Sequence, residues 1–252
     1  MKIFNLLKDT DEIKSEFQTT GKIFFKCDKM DIDQFCNISK EFGEIEQQDF
    51  QNEKVTIITT KDCCGDFNDN NELFPHTDRS TLENPPNILI YYYRSPSDVG
   101  GETWLIDTKK ILLEILLKYG EDCKILQQAY AVFSDQSETY IGNIFEKLKD
   151  GSYCVRFRND KFEYLNRDLI EFLPLFYDRI EKYKETVKLE KGYGYMIHNG
   201  RFLHGRAGFT GKREAWRLLL HDNFMDHKGF LLSHHIIGLW CQKVLTQLNV
   251  PA

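Results

Sequence analysis

In the stretch LFPHTDRST (73–81) an imidazole and a carboxylate stand two residues apart. In extended backbone, residues i and i+2 project to the same face, so His76 and Asp78 would offer both groups to one point. A second imidazole brought to that point completes two histidines and one carboxylate. That is the donor set of a non-haem Fe(II) centre, which keeps three coordination positions open. In a solvated turn the same aspartate would merely cap backbone amides. The metal reading therefore needs a third donor.

The remaining histidines are His198, His204, His221, His227, His234 and His235. His234 and His235 fall in an amphipathic stretch and read as packing residues, and His227 lies in a polar loop. His204 stands in RFLHGRAGFTGKREAWRLLL (201–220), which reads as two strands around the turn FTGK (209–212). A hairpin centred between Thr210 and Gly211 sets His204 opposite Arg217 and Arg206 opposite Ala215. Opposed residues share a face, with Cβ atoms about 4.5–5.5 Å apart. A guanidinium beside a metal-binding imidazole suits a dicarboxylate co-substrate: the metal takes one end and the planar fork grips the far carboxylate.

The elements that must hold these groups follow from periodicity and punctuation. Strands are expected over 21–27 (GKIFFKC), 55–60 (VTIITT), 87–93 (NILIYYY) and 102–107 (ETWLID), all β-branched or aromatic runs of strand length. Residues 31–43 read as a helix with an aspartate start and a glycine stop, and 107–120 as a second helix begun by Asp107 or Thr108 and closed by Gly120. The region 121–190 reads as an insertion, with a helical piece near 137–149, a strand over 153–158 and a helix over 166–187. Strands return at 192–199 and 216–224, and 231–248 reads as a helix packed on the outside. Strands, then a helix-rich middle, then strands again suit an antiparallel β-sandwich or jelly roll. A doubly wound α/β fold fits less well, because no glycine-rich strand-to-helix turn is present.

Composition narrows the function classes. With 252 residues, 41% hydrophobic and 29% charged, the chain reads as one globular domain over 1–252. A formal net charge of −6, with no long basic run, speaks against nucleic-acid binding by phosphate neutralisation. No stretch has the apolar length of a membrane span or the form of a signal peptide. The seven cysteines (27, 36, 63, 64, 123, 154 and 241) are odd in number and form no C-x-x-C pair, which fits reduced thiols in the cytoplasm. The expected partner is a small-molecule substrate, and the chain carries no sign of its oligomeric state.

HTD (76–78), GGET (100–103) and LHGRAGFTGKREAWRLLL (203–220), in that order, resemble the Fe(II)/2-oxoglutarate-dependent oxygenases of the taurine dioxygenase and clavaminate synthase type. The resemblance covers about residues 70–110 and 192–224. It implies a distorted double-stranded β-helix with a helix-rich insertion over about 121–190 and flanking helices. It implies iron held by His76, Asp78 and His204, with 2-oxoglutarate and O2 as co-substrates. Arg217, with the Thr103 hydroxyl, is expected to bind the distal carboxylate, and Arg213 takes that place if the hairpin register shifts. At IHNGR (197–201) the chain departs from relatives that carry an aspartate before the asparagine, which raises a substrate or supporting role for His198. Asp78 leaves no vacancy for a halide, so oxygenation is implied rather than halogenation. Asn70, Asn71, Arg79, Ser80 and Arg206 point to a small polar or anionic substrate such as an amino acid, hydroxylated with release of succinate and CO2. The alternatives are a jelly-roll metal-dependent hydrolase and a non-catalytic binding protein of the same fold.

Overall fold

The protein is seen here as a computed structural model, which describes residues 2–46, 55–59, 70–120, 130–135, 137–159 and 162–232. The chain opens with β1 (Ile3–Asn5), α1 (Thr10–Thr20), β2 (Lys22–Lys26), α2 (Ile32–Ser39), β3 (Gly43–Ile45) and β4 (Thr56–Thr59). Next come β5 (Leu73–His76), β6 (Ile88–Ser95), β7 (Val99–Gly100), β8 (Thr103–Asp107) and α3 (Thr108–Tyr119). The middle holds β9 (Tyr130–Ser134), β10 (Thr139–Asn143), β11 (Phe145–Lys147), β12 (Tyr153–Val155), β13 (Phe162–Leu165), α4 (Arg167–Tyr183) and β14 (Lys184–Val187). It closes with β15 (Tyr193–His198), β16 (Phe202–Arg206), β17 (Phe209–Thr210) and β18 (Glu214–Asp222).

Two sheets carry the site. One runs β1-β2-β15-β6-β18-β3, with β4 also on β18, and the other runs β14-β8-β16-β5. Strand alternation sorts their side chains into three apolar layers. Leu89, Tyr91, Tyr93, Tyr195, Ile197 and Leu219 of the larger sheet meet Leu105 and Phe202 of the smaller one in the layer between them. On the larger sheet's outer face Ile90, Tyr92, Met196, Trp216 and Leu218 pack against Phe17 of α1 and Phe35 of α2. The smaller sheet's outer face, with Ile106 and Leu203, packs on Ile111 and Ile115 of α3 and Phe172 and Phe176 of α4. Two facing sheets with helices outside are the expected double-stranded β-helix.

Local chemistry explains most boundaries. Asp31 accepts the Gln34 amide at 2.8 Å while the Gln34 side chain accepts the Asp31 amide at 3.2 Å, a reciprocal cap that starts α2. Asp107 caps α3 through the Lys109 amide, as expected.

Four expectations are revised. Residues 137–149 are not helical but form β10 and β11. Ile141, Ile144, Phe145 and Leu148 have helical spacing, yet Asp135 accepts the amides of Ser137 and Glu138 and turns the chain back so that β10 pairs with β9. The helix expected over 166–187 ends at Tyr183, and Lys184–Val187 joins β8 as β14. Gly43 does not merely stop α2 but opens β3, which pairs with β18. The hairpin around FTGK is absent too: β17 pairs with β7, β16 with β8 and β5, and β18 with β6, β4 and β3. The turn carries the chain from one sheet to the other. The expected helix over 231–248 (apart from Leu231 and Leu232), His234, His235, Cys63 and Cys64 lie outside the described residues.

Candidate active site

His76 ends β5 and is the register partner of His204 in β16, with ring centroids 4.4 Å apart. Asp78 follows two residues later. The three buried side chains bring their donor atoms within 4.8 Å of one another. His76 Nε2 lies 3.5 Å from Asp78 Oδ1, and His204 Nε2 lies 3.8 Å from Oδ2. The His76 Nδ1–H donates to the Phe74 carbonyl at 2.9 Å, which leaves the Nε2 lone pair turned to the cluster. That nitrogen is buried with no hydrogen-bond partner among the described residues. A partnerless imidazole nitrogen facing a carboxylate and a second imidazole fits a divalent metal, and two histidines with one carboxylate fit Fe(II).

Electrostatics keep the donors in their metal-binding forms. Burial alone would raise the Asp78 carboxyl, but the Arg217 guanidinium, then His204 and His76, hold it well below the usual carboxylate range. Burial first, and neighbouring His76 second, lower His204 to about 3, so its imidazole is neutral near pH 7.

Arg217 reaches the cluster by a route other than the expected hairpin. It lies on the inner face of β18, and its Nη1 donates to both Asp78 oxygens at 3.0 and 3.2 Å. Thr103 does not stand with Arg217. Its hydroxyl is 2.7 Å from the Tyr93 hydroxyl, which accepts from Arg213 Nη2 at 3.3 Å. The buried donor cluster is therefore Arg213, Tyr93 and Thr103, the pairing expected only for a shifted register. Tyr91, stacked on Tyr195 at 5.3 Å, shares the inner face with Tyr93. Burial raises the Tyr91 phenol despite Arg217 and Arg213 nearby.

The residues expected to meet substrate are scattered. Arg206 shares the inner face of its strand with His204, donates to the Asn71 carbonyl at 3.0 Å and lies over the Phe209 ring. Asn70 lends its carbonyl to the Phe209 amide. Ser80 is buried with its hydroxyl unbonded, and Arg79 reaches Glu46 at 3.9 Å. His198 does not face the site. Alternation along β15 turns it outward with Met196, where it stacks on Phe17 of α1 at 6.5 Å and 17°. Its Nδ1 accepts the Gly200 amide at 3.1 Å, and burial lowers its pKa to about 4.

Several supporting residues escaped the sequence reading. Asn199 hydrogen-bonds the backbone of Asp78, and Arg156 donates to the carbonyls of Ser80 and Glu83 at 2.6 and 3.2 Å while covering the Tyr140 ring. Phe157 exchanges hydrogen bonds with Thr77, placing the insertion against the metal motif. The tyrosine run 91–93 did hold a signal, since period-2 alternation puts Tyr91 and Tyr93 on one face. Partners such as Phe157 are too distant in sequence to leave one.

Comparison with known proteins gives the family and the fold. Residues 3–219 match the family described as taurine catabolism dioxygenase TauD, TfdA family. Mouse (Mus musculus) trimethyllysine dioxygenase, mitochondrial, is 25% identical over 187 residues, covering 64% of this chain and 42% of that protein. The human (Homo sapiens) protein of the same name is 26% identical over 166 residues, covering 55% and 38%. The matches thus span less than half the length of these curated relatives. A taurine dioxygenase from Burkholderia xenovorans superposes with a TM-score of 0.69 at 15% identity, covering 87% of this chain and 85% of that one. An asparagine oxygenase solved with Fe(II), 2S,3S-3-hydroxyasparagine and succinate gives 0.66 at 12% identity, covering 86% and 79%. With the family matched across most of its length and the His76–Asp78–His204 donor set in place, the chain belongs to the TauD/TfdA dioxygenase family of Fe(II)- and 2-oxoglutarate-dependent oxygenases.

Proposed function

We propose that the protein hydroxylates a small polar molecule, an amino acid or a related acid, with conversion of 2-oxoglutarate to succinate and CO2. The observation that supports this reading is that the buried His76, Asp78 and His204 cluster shares its interior with the hydrogen-bonded Arg213, Tyr93 and Thr103. His76, Asp78 and His204 would hold the iron. Iron so held, with 2-oxoglutarate and O2, supplies the oxidising power for a C–H bond.

The chain's own residues then bind, orient and exclude water. Arg213, with the hydroxyls of Tyr93 and Thr103, is suited to the distal carboxylate, because a guanidinium and two hydroxyls can all donate to it. Arg217 keeps Asp78 ionised. Tyr91 and Tyr195, buried and stacked on each other, supply a dry wall on the inner face of the larger sheet. Arg206, on the His204 face, supports an anionic substrate group, and Arg79 and Ser80 follow Asp78 directly on the chain. By name, the similar trimethyllysine dioxygenases and asparagine oxygenase act on amino acids or their derivatives, which supports that substrate class.

We read the chain as one oxygenase domain. The free thiols of Cys27 and Cys154 support a reducing compartment such as the cytoplasm. No described helix is long and apolar enough to cross a membrane.

Anaerobic addition of Fe(II) and then 2-oxoglutarate tests the reading. A visible charge-transfer band of the chelate is expected, followed in air by succinate formation that one of a panel of amino acids and small acids stimulates. Metal binding without the band, together with metal-dependent hydrolysis, would replace the oxygenase with the hydrolase.

A further inference from the structure

We propose that Asn199 is a positioning residue that aims the Asp78 carboxylate at the metal, an inference that rests on the metal-site reading above. Asn199 directly follows β15 and is 1% exposed. Its Oδ1 accepts the Asp78 amide at 2.8 Å, and its Nδ2 donates to the Asp78 carbonyl at 2.9 Å and the Pro86 carbonyl at 2.8 Å. Its own amide donates to the Asn87 carbonyl at 2.8 Å, so the clamp is itself anchored. One side chain thus holds the peptide groups on both sides of the Asp78 Cα.

Only a carboxamide can do this, because the task needs an acceptor and a donor on one short planar group. Aspartate would keep the acceptor but lose both donations. The residues flanking Asp78 show why a clamp matters. Thr77 is pinned to Phe157, its amide donating to the Phe157 carbonyl at 2.8 Å. Arg79, on the other side, has φ 57, the left-handed region that a non-glycine residue occupies only where its surroundings impose it. Asn199 fixes the peptide between Asp78 and Arg79 in the orientation that this backbone requires. Released from it, Arg79 can relax and Asp78 can rotate its carboxylate away from the two imidazoles.

A merely structural asparagine would affect stability alone, so the test measures metal affinity on the folded, full-length chain. Mn(II) binding is followed by the magnetic resonance of the free ion, alongside thermal unfolding without metal. The chains compared are the parent, Asn199→Ala, Asn199→Asp and Asp78→Ala, with Tyr92→Phe as a control. Tyr92→Phe removes a buried hydrogen bond to the Cys27 carbonyl on the far face of the sheet. Asn199→Ala is expected to weaken Mn(II) binding about 10–100-fold, as loss of an outer partner of a metal ligand does, with Asn199→Asp weakened as well and Tyr92→Phe unchanged. If Asn199→Ala does not fold, Asn199→Asp alone decides the matter. Folded Asn199 variants that bind Mn(II) within about twofold of the parent overturn the proposal. A parent that binds no Mn(II) overturns the metal reading and this proposal together. Binding that Asp78→Ala abolishes but the Asn199 variants keep overturns only this proposal.

Discussion

Asp78 joins every part of the centre. Its carboxylate faces two imidazoles and one guanidinium, and its backbone is held by Asn199. Asp78→Ala is expected to abolish the chelate band and, without metal, to destabilise the fold by about 3–5 kcal/mol, because Arg217 loses its buried carboxylate. Urea unfolding of the metal-free protein measures this, and a loss under about 1 kcal/mol would show that the pair contributes little. The two arginines separate by kinetics. Arg213→Ala removes a buried charged donor from the clamp and should raise KM for 2-oxoglutarate about a hundredfold, since truncating such a pair costs 2 kcal/mol or more. The same change would barely touch a hydrolase. His76, Asp78 and His204 are legible in the sequence as candidate donors, but His204 is singled out there by a hairpin that the structure does not form. The arginine assignment is not legible, because it depends on which sheet each strand joins.

At the scale of elements, short-range chemistry wrote the boundaries that the sequence reading recovered. Asp31 and Asp107 begin helices where N-caps were expected. Asp31→Ala should lower stability by about 1 kcal/mol in denaturant unfolding and leave the chelate band unchanged, since α2 packs on the outer face of the sheet. A lost band would mean that α2 supports the site more directly than its packing indicates. Apolar spacing at i, i+3, i+4 and i+7 predicts a helix over 137–149, yet it also occurs where two short strands meet at Ile144. There the Asp135 turn and the pairing with β9 override helix periodicity. The 203–220 stretch reads as a hairpin because its turn is sound locally. The turn's partner, β7, lies about a hundred residues earlier.

At the scale of the molecule, two buried histidines make the fold sensitive to acid. His198 is lowered to about 4 and His204 to about 3, against about 6.5 in the unfolded chain. Their neutral forms are favoured in the fold, so stability is fully present above about pH 6.5. It is lost as the pH falls toward 4 and below, because the unfolded chain takes up protons that the fold excludes. His198 alone accounts for a loss on the order of 3 kcal/mol over that range. Metal-free unfolding free energies between pH 7 and 4 should therefore slope downward, and His198→Asn should flatten the slope. An unchanged slope would remove His198 as its source. Asp78 and Asp135, both lowered, add their losses only below the ordinary carboxylate range.

The sequence by itself determined the donor types, the close spacing of His76 and Asp78, and most starts and stops, because these depend on residues a few positions apart. Tertiary structure alone decided that Arg217 meets Asp78, that Arg213 and Tyr93 join Thr103, that His198 turns to α1, and that Asn199 holds the Asp78 backbone. Each of these depends on which distant strand pairs with which. A strand's own residues dictate its two faces, but only its partners dictate what those faces meet.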